Sequence, residues 1–233
     1  MIEIKSFASG STGNCYWVSD GVTPVLIECG ISIQDIKKKS GFRLSEVQGC
    51  LISHEHGDHI KSAVDVAGSG IDVYMSEGTF NNYSFGSHRF QIGNAGETIN
   101  LGSWIIKTFE VEHDAEEPLG FYLASRTGEK LVYITDSYYS KFMFQRLTHV
   151  MIECNYALDI LNENIKSGRV HPAQKKRLLR SHFSLENVKD FLQANDLSEV
   201  KEIWLLHLSS RNSDEERFKR EIQELTGKPV YIA

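Results

Sequence analysis

The chain of 233 residues has only four cysteines and four prolines. The cysteines are far apart and form no CxxC pair, which argues against a disulfide scaffold or a structural zinc knuckle. No apolar run approaches the roughly 18 residues of a membrane span. The N-terminus, MIEIKSFASG, lacks the basic and apolar regions of a signal peptide. We therefore expect a cytoplasmic protein with no membrane partner.

An excess of basic charge is also missing. The formal net charge is −6, so the molecule as a whole is not an electrostatic binder of nucleic acid, although local basic clusters remain open. Hydrophobic residues make up 41% of the chain and charged residues 24%, which is ordinary for a globular protein. No long linker or low-complexity tract interrupts the sequence. We predict a single domain that covers residues 1–233.

Short β-rich segments occur in two runs, with helical segments between them. The strands predicted in the first half are Ile2–Phe7, Cys15–Ser19, Val25–Glu28, Gln48–Ser53 and Ile71–Met75, and the helices are Ser32–Ser40 and Asp58–Ala67. In the second half the predicted strands are Thr98–Glu112, Gly120–Ser125, Lys130–Thr135, His149–Glu153 and Glu202–Leu208, with helices at Leu185–Ala194 and Asp214–Leu225. This order predicts an α/β fold, a four-layer αββα sandwich with two sheets packed face to face.

The strongest chemical pattern is His54-Glu55-His56-Gly57-Asp58-His59, directly after the apolar strand Gln48–Ser53. Alternate residues of an extended segment point to the same side, so His54 and His56 can bind one cation. Asp58 and His59 follow a turn at Gly57 and can face a second cation. Imidazole and carboxylate ligands together suit Zn²⁺, Mn²⁺ or Fe²⁺. The segment therefore predicts a metal-dependent hydrolase.

This HxHxDH pattern resembles the metallo-β-lactamase superfamily, and later motifs follow in the family's order. His113 follows one strand, Asp136 follows another, and His207 ends a third. The resemblance implies two divalent metal ions, Zn²⁺ or Mn²⁺, at two sites that share Asp136. The implied ligands are His54, His56, His113 and Asp136 at site one, and Asp58, His59, Asp136 and His207 at site two.

The resemblance also implies a reaction. A hydroxide bridging the two metals would attack phosphorus, with Asp58 and Asp136 holding the cations. Phosphodiesterases of the superfamily place a histidine between the bridging aspartate and the last ligand. His182 matches this position, as the phosphate contact and the proton donor to the leaving oxygen.

Several segments are similar to a YycJ/WalJ-like, exodeoxyribonuclease-like branch of the superfamily. They are the Gly/Ser loop with Ser11 and Asn14, the segment Glu153-Cys154-Asn155, the segment around His182, and His207–Asn212. This similarity implies a 5′-to-3′ DNA exonuclease, with Ser11, Asn14, Asn155 and Asn212 near the substrate or supporting the ligands. Glu28 stands where the family usually has an aspartate that orients a metal-bound imidazole.

Residues 166–180 contain six basic side chains and no acidic one, and Arg177 is among them. Because this run directly precedes His182, it could hold a polyanionic substrate; a solvated helix face is the alternative. The aromatic segment 76–97 could stack bases, although a packed loop is the favoured interpretation.

Other functions remain open. The same metal ligands would serve a thioesterase or a lactonase, or a phosphodiesterase acting on RNA or on small cyclic phosphates. Only 45 residues separate Asp136 from His182, so the inserted domain of the RNA-cleaving β-CASP branch has no room. The sequence predicts a nucleic-acid substrate, with DNA the expected one, and leaves the metal and the cleavage polarity open.

Overall fold

The structure is a computed structural model, which describes residues 1–83 and 86–233. These residues divide into two compact units. The first unit comprises Met1–Glu110 and Ala115–Lys130, and the second comprises Val111–Asp114 and Leu131–Ala233. Phe85, which belongs to the aromatic segment 76–97, lies outside the described residues.

The first unit contains a six-stranded sheet, an antiparallel group of three strands, and short helices. The sheet strands, adjacent in chain order, are β1 (Glu3–Ala8), β2 (Cys15–Ser19), β3 (Pro24–Ile27), β4 (Gly49–Leu51), β5 (Asp72–Met75) and β6 (Phe90–Ile92). The antiparallel strands are β7 (Thr98–Leu101), β8 (Trp104–Glu110) and β9 (Leu119–Ser125). The helices are α1 (Ile33–Lys39), α2 (Gly57–Ile60), α3 (Ala63–Gly68) and α4 (Glu77–Asn81), with a 3₁₀ turn at Leu44–Glu46.

Strands β3, β4, β5 and β6 run parallel, and β4, near the centre of this sheet, is entirely buried. This burial explains why β4 is apolar without alternation, as parallel strands covered on both faces usually are. Ser32 caps α1 by accepting a hydrogen bond from the backbone N–H of Asp35. The chain leaves β4 at its carboxyl end, where the histidine motif begins.

The second unit is built on parallel strands with helices between them. The strands, adjacent in this order, are β10 (Lys130–Ile134), β11 (His149–Glu153), β12 (Glu202–Leu206) and β13 (Val230–Ile232). The helices are α5 (Leu158–Lys166), α6 (Pro172–Ser181), α7 (Leu185–Ala194) and α8 (Glu215–Thr226). Because these strands are parallel, their carboxyl ends share one edge, the usual place for a site in such sheets.

The prediction of a mixed α/β protein with two sheets is confirmed. Two predicted elements differ in detail. The segment Thr98–Glu112 is a hairpin of β7 and β8, because the chain turns at Gly102, whose φ is +60°. The predicted helix Asp58–Ala67 is two helices, since Ser62 leaves helical geometry and its backbone N–H donates to the carbonyl of Cys29. In the described part of the chain, no helix combines the length and the apolar character of a membrane span.

Candidate metal centre

His54 and His56 lie just beyond the buried strand β4 in the first unit. Ser53 Oγ lies 2.9 Å from His54 Nδ1, so Nε2 is the ring nitrogen of His54 that remains to bind a cation. His54 Nε2 lies 3.1 Å from His56 Nδ1. Two nitrogen ligands on a tetrahedral Zn²⁺ would be separated by about 3.4 Å, as bond lengths near 2.1 Å require. The observed spacing therefore fits two ligands of one cation.

Asp58 and His59 form the first turn of α2. The His59 ring is fully buried, and its centroid lies 4.1 Å from that of His54. Asp58 Oδ2 lies 3.5 Å from His59 Nε2. Three imidazoles and a carboxylate thus converge within one short segment. This is the donor set that Zn²⁺ and Mn²⁺ take in proteins.

The backbone of Asp58 and His59 is held against the end of β3 and the Gly/Ser loop. The Cys29 N–H donates to His59 O at 2.8 Å, and the Asn14 N–H donates to Asp58 O at 2.7 Å. The approach is so close that a Cβ atom on Gly30 would lie 1.7 Å from Asp58 O. Only glycine fits at position 30 without moving the backbone of a ligand residue.

Glu28 is completely buried at the end of β3, with φ at +63°. Its carboxylate accepts from the backbone N–H of Ser53, and Oε1 lies 3.5 Å from His59 Nδ1. This carboxylate therefore lies against the imidazole of His59. The extra methylene relative to aspartate does not prevent the contact.

The Gly/Ser loop reaches the same cluster through Asn14. Its side-chain oxygen accepts from the Gly10 N–H, and its Nδ2 lies 3.2 Å from His59 Nε2 and 3.4 Å from Asp58 Oδ2. Asn14 is buried, whereas Ser11 lies exposed at the turn of the same loop. Of the two loop residues predicted for the site, Asn14 contacts the ligand candidates directly.

In the second unit, candidate ligands meet at the carboxyl ends of the parallel strands. Asp136 follows β10, and His207 follows β12; both have positive φ, 44° and 51°. Such backbone is uncommon for residues other than glycine and concentrates at functional sites. His207 Nδ1 lies 3.3 Å from Asp136 Oδ1, and His113 Nε2 lies 3.8 Å from Asp136 Oδ2.

Glu153, the last residue of β11, is fully buried at the same edge. Its Oε1 lies 2.6 Å from His182 Nδ1 and 3.2 Å from His207 Nδ1. Its Oε2 accepts from the backbone N–H groups of Ser137 and Phe183, each at 3.1 Å. Glu153 lies in a segment that resembles the YycJ/WalJ-like branch, but it was not among the predicted site residues. A carboxylate that ends a buried apolar strand is the sequence feature that would have identified it.

His182 ends α6 and stacks on His207, with ring centroids 5.7 Å apart and an interplanar angle of 13°. Asp136, Glu153, His182 and His207 each offer a donor atom within 4.8 Å of the others, which is close enough to surround a cation. Burial lowers the pKa of His182, but the adjacent Glu153 carboxylate outweighs burial and holds that pKa above its ordinary value. Burial lowers the pKa of His113, which favours the neutral imidazole that a metal binds.

The remaining predicted residues of the second unit lie around this cluster. Asn155 Nδ2 donates to His207 O at 2.9 Å and so holds the backbone of this candidate ligand. Asn212 accepts from Asn164 Nδ2 at 3.0 Å, a contact with α5 rather than with the histidines. Arg177 is exposed and lies 3.2 Å from Asp114 Oδ2, beside His113.

Comparison with known proteins identifies the relatives of the chain. Residues 23–192 match the family described as the Beta-lactamase superfamily domain. The chain is 30% identical to Exodeoxyribonuclease YycJ of Bacillus anthracis, with 96% of this chain and 89% of that protein covered. It is 28% identical to Exodeoxyribonuclease WalJ of Streptococcus pneumoniae, with 90% and 82% covered.

Solved structures agree on the fold. The metallo-beta-lactamase fold protein YhfI from Bacillus subtilis superposes with a TM-score of 0.76 at 16% identity, covering 100% of this chain and 96% of that one. The short form of human tRNase Z gives 0.65 at 14% identity, with 100% and 96% covered. The family match spans well over half of the chain, and the YycJ relative is similar along nearly all of it. The predicted resemblance and the prediction of a metal-dependent hydrolase are confirmed: the chain belongs to the beta-lactamase superfamily, as a hydrolase of the metallo-β-lactamase fold.

Proposed function

We propose that the protein is a phosphodiesterase with two metal ions that hydrolyses nucleic acid, and that it degrades DNA from the 5′ end. One observation carries the proposal: His182 is held by the buried Glu153 carboxylate beside Asp136 and His207, at the end of the basic helix α6. The names of the YycJ and WalJ relatives support DNA as the substrate.

We propose as metal ligands the seven residues that the family resemblance implies. One ion would be held by His54, His56, His113 and Asp136, and the other by Asp58, His59, Asp136 and His207. The donor chemistry within each unit fits Zn²⁺ or Mn²⁺. When bound, such ions lower the pKa of water and neutralise charge on a phosphate. The location in the cytoplasm and the single domain of residues 1–233 remain predictions, as do the supporting or substrate-contacting roles of Glu28, Ser11, Asn14, Asn155, Arg177 and Asn212.

The contacts of His182 support a role as the proton donor. Because Nδ1 is engaged by Glu153 at 2.6 Å, protonated His182 would offer its Nε2–H to the leaving oxygen. The Glu153 carboxylate raises the pKa of His182, which favours the protonated form of the imidazole. Glu153 itself stays ionised: burial raises its pKa, but His182 and His207 outweigh burial and keep it below the ordinary value.

Helix α6 supplies the electrostatics that a polyanion needs. Lys176, Arg177 and Arg180 are exposed on this helix, which contains no acidic residue. His182 is the residue that follows it. Arg177 is paired with Asp114, so it is partly neutralised, whereas phosphate contacts by Lys176 and Arg180 would add a salt-sensitive component to binding.

The test uses protein loaded with Mn²⁺ or Zn²⁺ and DNA labelled separately at each end, with RNA, bis(p-nitrophenyl) phosphate, a cyclic nucleotide, a thioester and a lactone as parallel substrates. We expect nucleotides to be released from the 5′ end of DNA, and no release by a His54→Ala/His56→Ala variant. A metal-loaded protein that cleaves only the thioester or the lactone would refute the proposal. Preference for RNA or for the cyclic nucleotide would change the substrate and leave phosphodiester hydrolysis in place.

A further inference from the structure

The second unit contains a cavity of about 510 Å³ against α7 and the segment 138–143. Its volume lies within the range of about 300–1,000 Å³ that is common for small-molecule sites. None of the proposed ligands, nor His182, lines it. Its apolar lining consists of Tyr138, Tyr139, Phe142, Met143, Phe183 and Phe191.

Aromatic rings dominate this lining, and the charged side chains of Lys141 and Asp190 also line the cavity. Tyr139 is 55% exposed and Met143 is 75% exposed, so the cavity opens to solvent. Lys141 Nζ lies 5.6 Å from the Phe142 ring centroid and brings a positive charge to the same segment. A flat aromatic ligand that carries a neighbouring phosphate satisfies both features, because bases stack on aromatic side chains and phosphates pair with ammonium groups.

The cavity wall is connected to the histidine cluster through the backbone. The N–H groups of Ser137 and Phe183 both donate to Glu153 Oε2, and the cavity residue Tyr138 directly follows Ser137. Asn187 Nδ2 donates to Tyr138 O at 2.8 Å and holds the segment against α7. The cavity and His182 are thus held by the same carboxylate.

The order of residues along the chain also indicates which nucleotide the cavity would take. Phe183, which lines the cavity, directly follows His182, the C-terminal cap of α6. The cavity therefore borders the segment that carries the imidazole that we assign to the scissile phosphate, without including that imidazole. A base bound there belongs to a neighbouring nucleotide of the strand.

We propose that this cavity binds one base of the substrate strand, beside the nucleotide whose phosphodiester bond is cleaved. The inference rests on the proposed nuclease function and adds a base-binding subsite to it. The base would stack against Phe142 and be covered by Tyr139 and Met143, with Lys141 next to its phosphate.

The experiment combines cavity variants with an abasic scan. Single-stranded DNA carrying one abasic residue, moved stepwise along the first nucleotides, is cleaved by the metal-loaded wild type and by Phe142→Ala, Tyr139→Ala and Met143→Ala. Bis(p-nitrophenyl) phosphate, which has no base, reports on the catalytic site alone. Phe42→Ala removes a phenyl group that is 76% exposed in the first unit and serves as the matched control.

We expect one abasic position to lower kcat/KM of the wild type by about 10-fold, the usual scale of one base–aromatic stack. Phe142→Ala should lower kcat/KM on intact DNA by a similar factor and lose sensitivity to that abasic position. All variants should hydrolyse bis(p-nitrophenyl) phosphate like the wild type, and Phe42→Ala should match the wild type throughout.

Two outcomes overturn the subsite. One is a flat abasic scan with normal DNA cleavage by all three cavity variants, which leaves the nuclease function standing. The other is an equal loss on DNA and on bis(p-nitrophenyl) phosphate in all three, which would mean that the residues support the catalytic site itself. If Phe142→Ala alone loses both activities because it folds poorly, the more exposed Tyr139→Ala and Met143→Ala decide. Failure of the wild type to cleave any nucleic acid refutes the proposed function instead.

Discussion

The two units present candidate ligands in opposite ways. In the first unit, His54, His56, Asp58 and His59 come from six consecutive residues at the end of one strand. In the second unit, the cluster of Asp136, Glu153, His182 and His207 comes from the ends of three parallel strands and one helix. The first cluster is a local motif, whereas the second exists only when the sheet has formed.

The difference extends to how each backbone is held. The first cluster relies on close backbone packing, with Gly30 pressed against Asp58 O. The second relies on Asp136 and His207 adopting positive φ and on one buried carboxylate, Glu153, that accepts four contacts. The first cluster, which is local, depends on steric fit. The second cluster, which is dispersed along the chain, depends on hydrogen bonds that hold the ends of separate strands in place.

The largest effect is expected for Asp136→Asn, and comparison with Asp58→Asn distinguishes the roles of the two aspartates. Asp136 contacts His207 through Oδ1 and His113 through Oδ2. Asp136→Asn removes the negative charge and replaces one of these two oxygens by an amide nitrogen. We expect activity to fall by more than about 100-fold, since losing even a residue that only supports a ligand costs about 10- to 100-fold. We expect the loss of both metal ions, measured by atomic emission on Mn²⁺-loaded protein.

Asp58→Asn in the first unit is the matched change. It should leave one ion bound, because the proposed ligands of the other site remain. Full metal content in Asp136→Asn would contradict the assignment of Asp136 to both ions.

The same comparison explains what the sequence could reveal. The His54–His59 motif was found from ligand type and spacing alone, because all of its information is local. Asp136 and His207 were found only through the order of family motifs. Glu153 was noted in its segment and still missed, since nothing in the sequence says that its carboxylate meets His182, 29 residues later.

Fold prediction shows the same limit. Helix α7 was predicted at its observed bounds, Leu185–Ala194, and in the structure Ser184 caps it by accepting a hydrogen bond from the backbone N–H of Asn187. The hairpin of β7 and β8 was predicted as one strand, because its turn residues separate two equally β-prone stretches. Helix α6 was predicted only as an alternative, the solvated helix face considered for the basic run 166–180, and its bounds were not predicted.

The second prediction tests steric fit in the first cluster. A Cβ on Gly30 would lie 1.7 Å from Asp58 O, so Gly30→Ala must displace the backbone of Asp58 and His59. Because a shift of about 1 Å in a catalytic group can cost about 100-fold in rate, we expect a loss of that order in kcat/KM. Steady-state kinetics with metal analysis would measure it.

Gly68→Ala is the control, because a Cβ there meets no atom within 4 Å and the residue ends α3. It should be neutral or slightly stabilising. Wild-type kinetics for Gly30→Ala would show that the close approach does not position the ligands.

The third prediction tests the hydrogen bonds of the second cluster. Glu153→Gln keeps one oxygen for the N–H groups of Ser137 and Phe183 but removes the charge beside His182. We expect kcat to fall by about 10- to 100-fold, with KM and metal content little changed. Equal loss in Glu153→Gln and in a Glu153→Asp variant would indicate a packing role, because aspartate restores the charge. Recovery by Glu153→Asp would support positioning of His182 by that charge.

The smallest expected effect is on stability, away from both clusters. In the second unit, Glu221 lies 2.5 Å from Lys189 Nζ and 2.6 Å from Arg217 Nε, and these two contacts lower the pKa of Glu221. A carboxylate with a lowered pKa stabilises the fold above its unfolded pKa of about 4.5, and this stabilisation is lost as pH falls through the folded value. Glu221→Gln should therefore lower Tm by about 1–3 °C at pH 7, the scale of a partly exposed ion pair in a chain of this size. The difference from wild type should shrink below about pH 4.5 and vanish in more acidic solution.

Glu46→Gln is the control in the first unit. It removes an ion pair with Arg43 in which the two side chains, Arg43 and Glu46, are 57% and 46% exposed, so it should change Tm less. Melting curves of the three proteins across pH 3–8 would measure both effects, and a Glu221→Gln difference that does not shrink at all between pH 8 and pH 3 would show that packing and not charge stabilises this contact.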